Sequence, residues 1–147
     1  MKIATSCWFE KLDPNVYVRI GISRGVPRGM AAGYRRYSKL NPGSWFNSVS
    51  PVRYKELYFY EILRPLDPNQ VVAELLAMAD GKAPALLCWE APTPGPAWCH
   101  RGLVSAWLHD TLGLEVFEVG QEHQGAGWRH PKLAPELRQQ KKPPPVR

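Results

Sequence analysis

Acidic residues are missing from a long stretch of this chain. None occurs between Asp13 and Glu56, an interval that holds Arg19, Arg24, Arg28, Arg35, Arg36, Lys39, Arg53 and Lys55. A run of one sign attracts phosphates or nucleic acid, although any one of these bases can equally be a solvated charge. Cysteine is scarce as well: three in 147 residues, an odd number. That count argues against a disulfide framework and points to a reducing cytoplasm. Long apolar runs are absent. The longest, Ala83 to Trp89, contains Pro84 and is far too short to span a bilayer, so no membrane partner is expected. Lys2 is followed by mixed polar and apolar residues instead of an export h-region, which again suits the cytoplasm. Walker-type, G-x-G-x-x-G, H-E-x-x-H and G-x-S-x-G motifs are lacking too. The common nucleotide-loop, zinc-protease and serine-hydrolase readings therefore have no support.

What is present suits one globular domain with a real core, at 44% hydrophobic and 22% charged residues. Lys2–Phe9 reads as a first strand and Asp13-Pro14 as a turn. Val16–Ser23 alternates Val16, Val18, Ile20 and Ile22 on one side, a period-2 strand. Arg24 to Pro51 reads as a long basic loop, with one short helical piece near Met30–Tyr37. Its Tyr34, Tyr37, Trp45 and Phe46 are interleaved with bases, a composition suited to stacking or to anchoring the loop. Val52, Leu57, Tyr60 and Ile62–Leu63 could line a helix ending before Pro65. Asp67 as N-cap and Pro68 at N1 open a second helix that Gly81 closes. Ala83–Trp89 is a buried strand, His100–Leu112 a helix stopped by Gly113, and Leu114–Val119 a final alternating strand. The expected fold is α/β: a single compact domain over residues 1–120, three-layer or nearly so, with a mostly parallel sheet flanked by helices, Rossmann-like. After Gly120 six bases face two acids, so four of the six net positive charges lie there. Residues 121–147 lack an apolar pattern and are expected to form a flexible basic, Pro-rich tail.

The strand-loop-helix unit from Ala83 to Leu112 brings together Cys88, Glu90, Cys99, His100 and Arg101. In open α/β sheets, ligands bind at the carboxyl ends of strands, beside helix N-termini. Cys99 in the first turn of a helix would meet free N–H groups that favour thiolate, with His100 and Arg101 beside it. The alternative is a buried, inert thiol. Glu90, leaving an apolar strand, could act as general acid or base, or could hold the loop by pairing with Arg101 or Arg24. Cys88 shares its face by strand alternation. Cys7, Cys88, Cys99 and His100 total four possible zinc ligands, but ten residues separate Cys88 from Cys99, unlike paired C-x2-C sites. No metal and no cofactor are assigned. A Cys88–Cys99 disulfide is conceivable, subject to close Cα atoms.

The run Leu86-Leu87-Cys88-Trp89-Glu90, followed by Trp98-Cys99-His100-Arg101 and a helix, resembles the signature of the domain of unknown function 488 family. Ile22-Ser23-Arg24-Gly25-Val26-Pro27 resembles that family's strand-end Arg motif, with Ser23 where an acidic residue is commoner. The resemblance spans about Lys2 to Val119. It implies a compact α/β fold with a polar site at the strand ends, and no established reaction.

Three functions stay open at this point. In the first, the chain is an enzyme acting on a nucleotide or nucleic acid: Glu90 transfers a proton, Cys99 and His100 are further catalytic candidates, and Ser23, Arg24, Cys88 and Arg101 bind the substrate. Tyr37 and Trp45 would be lids. In the second, the same residues make a non-catalytic nucleic-acid or nucleotide-binding module. In the third, the cysteines belong to a thiol or metal structural domain. The expected partner is nucleic acid or a phosphorylated small molecule. Oligomeric state is not legible.

Overall fold

The computed structural model describes residues 2–92 and 97–139. Its centre is a five-stranded, all-parallel sheet: β1 (Ala4–Cys7), β2 (Tyr17–Gly21), β3 (Arg35–Arg36), β4 (Ala83–Cys88) and β5 (Phe117–Glu118), in the order β3-β2-β4-β1-β5. β4 lies in the middle because its residues can be buried on both faces. Pro84 to Cys88 are all buried, and β4 pairs along its length with both β2 and β1. Two-residue β3 carries exposed Arg35 and Arg36, a short charged edge that discourages further pairing. No helix among the described residues is long and apolar enough to cross a membrane.

Among the described residues three α-helices follow the strands, of which the second and third lie directly on the sheet. Ser50 caps α1 (Pro51–Leu57) by accepting from the Arg53 N–H, and the chain continues as π-helical turns over Tyr58–Leu63. Asp67 caps α2 (Pro68–Ala79) through the Asn69 N–H, with Pro68 just inside the start. Asp80, at φ 48°, takes the left-handed C-cap expected of Gly81. α3 (Arg101–Leu112) stops at left-handed Gly113.

Both helical crossovers, β3 to β4 and β4 to β5, move the same way across the sheet. Right-handed connections then place all three helices on one face. Ile20, Ile22 and Leu86 meet Tyr58, Leu75, Leu103, Val104 and Leu108 there in a single core. The β1-to-β2 and β2-to-β3 connections run the other way, and loops cover that second face. Trp8, Ala85 and Leu87 pack against Leu12, Val26, Met30 and Tyr34. The sheet thus carries helices on one side and loops on the other, instead of a full third layer. Gly21 is required on the loop face, since a Cβ there would lie 2.2 Å from the Trp8 ring.

Two expectations are corrected. Met30–Tyr37 is not helical: Arg19 holds the loop open by donating to the Ala31 and Ala32 carbonyls at 3.0 and 2.8 Å, and the segment ends in β3. Residues 121–139 are not a loose tail. His130, Lys132, Leu133 and Ala134 are each fully buried, and Leu137 is buried as well. The segment lies against α3, where a Cβ on Gly102 would fall 2.7 Å from the Leu133 nitrogen. Its apolar residues follow no helix or strand period because it docks as 3-10 turns, so periodicity could not register it. The rest of the expected tail, residues 140–147, lies outside the described residues.

Candidate active site

A cavity of about 610 Å³ opens at the carboxyl ends of β2 and β4, lined by Ser23, Arg24, Gly25, Pro42, Phe46, Tyr54, Cys88, Trp89, Glu90, Ala97, Trp98, Cys99 and His100. Six of the nine expected site residues converge here. β2 delivers Ser23 and Arg24, β4 delivers Cys88 and Glu90, and the approach to α3 delivers Cys99 and His100.

Ser23 is committed to the frame: its hydroxyl accepts from Trp8 Nε1 at 2.9 Å and donates to the Gly25 carbonyl at 2.6 Å. Arg24 is different. Its exposed guanidinium stacks over Phe46 at 5.6 Å and donates to the Pro42 carbonyl, yet it forms no ion pair among the described residues. Glu90 is half-buried at the cavity wall. Tyr54 places its ring opposite, edge-on to both Trp98 and Trp45. Burial, and secondarily the charge of Glu90, raise the Tyr54 phenol's pKa, so it remains a hydrogen-bond donor.

Cys99 does not lie in the first turn of a helix, as expected. It precedes the N-cap His100, and its N–H donates to the Lys132 carbonyl at 2.8 Å. The helix-dipole argument for its reactivity is therefore lost. Cys99 is instead paired with Cys88 in a disulfide, and Cys7 is the free, buried cysteine. His100 is buried, with Nε2 2.8 Å from the Ile22 carbonyl. That contact assigns the ring proton to Nε2 and leaves Nδ1 unprotonated, 3.6 Å from Cys99 Sγ. Burial pushes the His100 pKa down to about 4, opposed by the Ile22 hydrogen bond and helped by the Arg101 charge. Cys88, Cys99 and His100 could also present three metal ligands, all within 4.8 Å of one another. Arg101 Nη1 donates to Cys88 Sγ at 3.0 Å, and a cation so close disfavours a second one.

Arg101 is not an anion-binding residue. It is fully buried and engaged by Glu118, with Nε–Oε1 at 2.9 Å and Nη2–Oε2 at 2.7 Å, a bidentate pair. It touches Glu90 only through that residue's backbone carbonyl, at 2.7 Å. Pairing of the Glu90 carboxylate with Arg101 is thus replaced by Glu118. Around this pair lies a network that sequence reasoning missed. Lys132 N–H donates to His130 Nδ1 at 3.0 Å, which puts the ring proton on Nε2, facing Thr5 Oγ1 at 2.7 Å. Thr5 in turn donates to Glu118 Oε1 at 2.8 Å. Burial, then neighbouring cations, hold His130 well below its usual range; burial and then Arg101 lower Lys132, opposed by the charges of Glu118 and Glu90. The available signal was Glu118 itself, in step with buried Val116 on a strand pattern.

The two proposed lids do not reach the cavity. Tyr37 is turned to α2, where its hydroxyl donates to Glu74. Trp45 packs its ring on Tyr54 at 4.9 Å, behind the wall that Phe46 forms. Much of the basic run is likewise employed. Arg19 braces the loop, Arg36 donates to the Arg24 carbonyl, Lys39 pairs with Glu74, and Lys55 lies over Trp128. Comparison with protein-family models, with curated proteins and with solved structures finds no match to this chain.

Proposed function

We propose that the protein is an enzyme acting on a small anionic molecule with a flat ring, of the nucleotide class. The carrying observation is one cavity in which aromatic walls meet an exposed guanidinium, without an ion pair among the described residues, and a half-buried carboxylate. Its volume suits a small ligand, and its recessed sulfurs and histidine suit a mononucleotide better than duplex nucleic acid. Arg24 holds the phosphate, while Phe46, Trp89 and Trp98 face the ring. Glu90 transfers a proton and the Tyr54 hydroxyl donates a hydrogen bond. Membership of the domain of unknown function 488 family, carried by the Cys-x-Glu and Cys-His-Arg motifs, and a cytoplasmic location belong to the same proposal.

Titration of the full chain with nucleoside mono- and diphosphates, followed by tryptophan fluorescence, tests it. Saturable binding is expected, weakened roughly ten- to a hundredfold in Arg24→Gln, the scale of one charge-assisted hydrogen bond. Glu90→Gln should bind near-normally and lose turnover of the bound nucleotide by about 10²–10⁴, read by mass spectrometry of the products. No binding at millimolar nucleotide overturns the reading. Binding without turnover in the wild-type chain replaces the enzyme with a binding module.

A further inference from the structure

The proton-transfer scheme leaves two reactive atoms on the cavity wall unused, the sulfurs of Cys88 and Cys99. We propose that they form a redox-active pair that exchanges with a small anionic thiol, or with its disulfide, through the cavity. The inference goes beyond the nucleotide reading, because the exchange needs the cavity and Arg24 but no nucleotide.

Three observations carry it. The pair faces the cavity, whereas Cys7, on neighbouring β1, is buried away from it. Each sulfur has a different polar neighbour. Cys88 Sγ accepts from the Arg101 guanidinium at 3.0 Å, a contact that stabilises a thiolate once the bond is reduced. Cys99 Sγ faces the unprotonated Nδ1 of His100 at 3.6 Å, a hydrogen-bond acceptor that orients the thiol once the bond is reduced. The helper groups are themselves locked, Arg101 by Glu118 and His100 by the Ile22 carbonyl. Finally, the sulfurs are recessed, with Cys88 at 2% and Cys99 at 4% exposure, so a folded protein's disulfide cannot reach them and a small molecule can. Arg24, at the same cavity and without an ion pair among the described residues, selects an acid group on that molecule.

In the oxidising direction the Cys88 thiolate attacks a sulfur of the ligand disulfide. A Cys88–ligand mixed disulfide forms, and the first ligand thiolate leaves. Cys99 then loses its proton to solvent in the cavity and attacks Cys88 Sγ. The second ligand half leaves as a thiolate and takes up a proton from solvent. Two electrons pass from the protein sulfurs to the ligand disulfide, and one disulfide replaces another. A thiol of the same class runs the sequence backwards.

The test uses the full chain, reduced with dithiothreitol, freed of it and exposed to oxidised glutathione. Remaining thiols are trapped by alkylation and mapped by mass spectrometry. Loss of the Cys88 and Cys99 thiols together, without a retained adduct and with reversal by reduced glutathione, is expected. Cys99→Ser should retain glutathione on Cys88. Arg24→Gln should react roughly tenfold more slowly with oxidised glutathione and at an unchanged rate with uncharged 2-hydroxyethyl disulfide. Should Cys99→Ser not fold, iodoacetamide on the reduced native wild-type chain serves instead, with Cys88 expected to react faster than Cys7. Equal reaction of Cys7 and Cys88, persistence of both thiols in oxidised glutathione, or zinc binding that blocks their oxidation each overturns the proposal. Failure here leaves Arg24-dependent nucleotide binding intact, and failure of nucleotide binding leaves the exchange intact, so the two readings fall separately.

Discussion

His100 and Arg101 are adjacent in sequence but serve two regions with opposite character. Arg101 turns inward, to a closed cluster in which Glu118, Thr5, His130 and the Lys132 backbone satisfy one another at zero exposure. His100 faces the cavity, where exposed Arg24 has no ion pair among the described residues and Glu90 is half-buried. Buried charges are costly unless their hydrogen bonds are complete, so the closed cluster can only be framework. The open region holds charged side chains at the cavity wall, where a ligand can reach them. In the same corner of one sheet, then, ionic chemistry is divided by whether its partners are already present.

The sharpest way to break the comparison is to unpair the closed cluster. Glu118→Gln keeps the shape but leaves the Arg101 guanidinium buried against a neutral amide. A loss of about 3–5 kcal/mol is expected from the urea unfolding midpoint at constant m-value. A loss under about 1 kcal/mol would mean that water reaches Arg101 and that the two regions are not distinct.

The closed region also depends on the docked segment after Gly120. Leu133 is fully buried against α3, so Leu133→Ala should cost about 3 kcal/mol, the scale of a core leucine cavity, in the same assay. Removing residues 140–147, which lie outside the described structure, is expected to change the midpoint little.

Legibility followed the same division. Strand and helix placement was readable wherever burial imposed a period, as at Val16–Ser23 and Pro68–Ala79, and where caps such as Asp67 and Gly113 had a local mechanism. The convergence of Ser23, Arg24, Cys88, Glu90, Cys99 and His100 was readable because parallel strands deliver their ends to one edge. What sequence could not give was direction. Nothing in Cys-His-Arg tells that the histidine faces the cavity and the arginine the core. Glu118 and His130 meet Thr5 across 113 and 125 residues of chain, a distance no local pattern spans. The 121–139 segment escaped because its anchoring leucines sit in aperiodic turns, although Gly102 on α3 marks where backbone must approach.

Acid gives a smaller and reversible probe. His100 and His130 are both neutral in the fold, His100 with a pKa near 4 and His130 well below its ordinary 6.5, chiefly through burial. Unfolded histidines bind protons from about pH 6.5 downward while the folded ones do not, so the unfolded chain gains protons and is favoured. Stability should be complete above about pH 6.5 and decline as pH falls toward 4. The His100 shift alone is worth up to about 3 kcal/mol across that window. Urea midpoints measured from pH 7.5 to 4.5 check it, with His100→Gln flattening part of the slope. An unchanged midpoint over that range would show that the fold takes up protons there as readily as the unfolded chain.

The smallest expected effect on stability is the most informative about the open region. Glu90 sits two residues beyond Cys88, and its backbone carbonyl accepts from Arg101 whatever the side chain is. Glu90→Gln therefore leaves that hydrogen bond in place and removes only a half-buried charge at the cavity wall. Glu118 keeps Arg101 paired, and buried Lys132, which feels the charges of both Glu118 and Glu90, keeps that of Glu118, so the unfolding midpoint should fall by no more than about 1 kcal/mol. The pairing of the two carboxylates makes the measurement decisive: Glu118→Gln and Glu90→Gln delete the same charge from the same corner. If Glu90→Gln instead loses several kcal/mol, the carboxylate belongs to the framework, and proton transfer at the cavity must be sought from another group. If it is silent in stability and alters only what happens to a bound ligand, the charge is held there for chemistry.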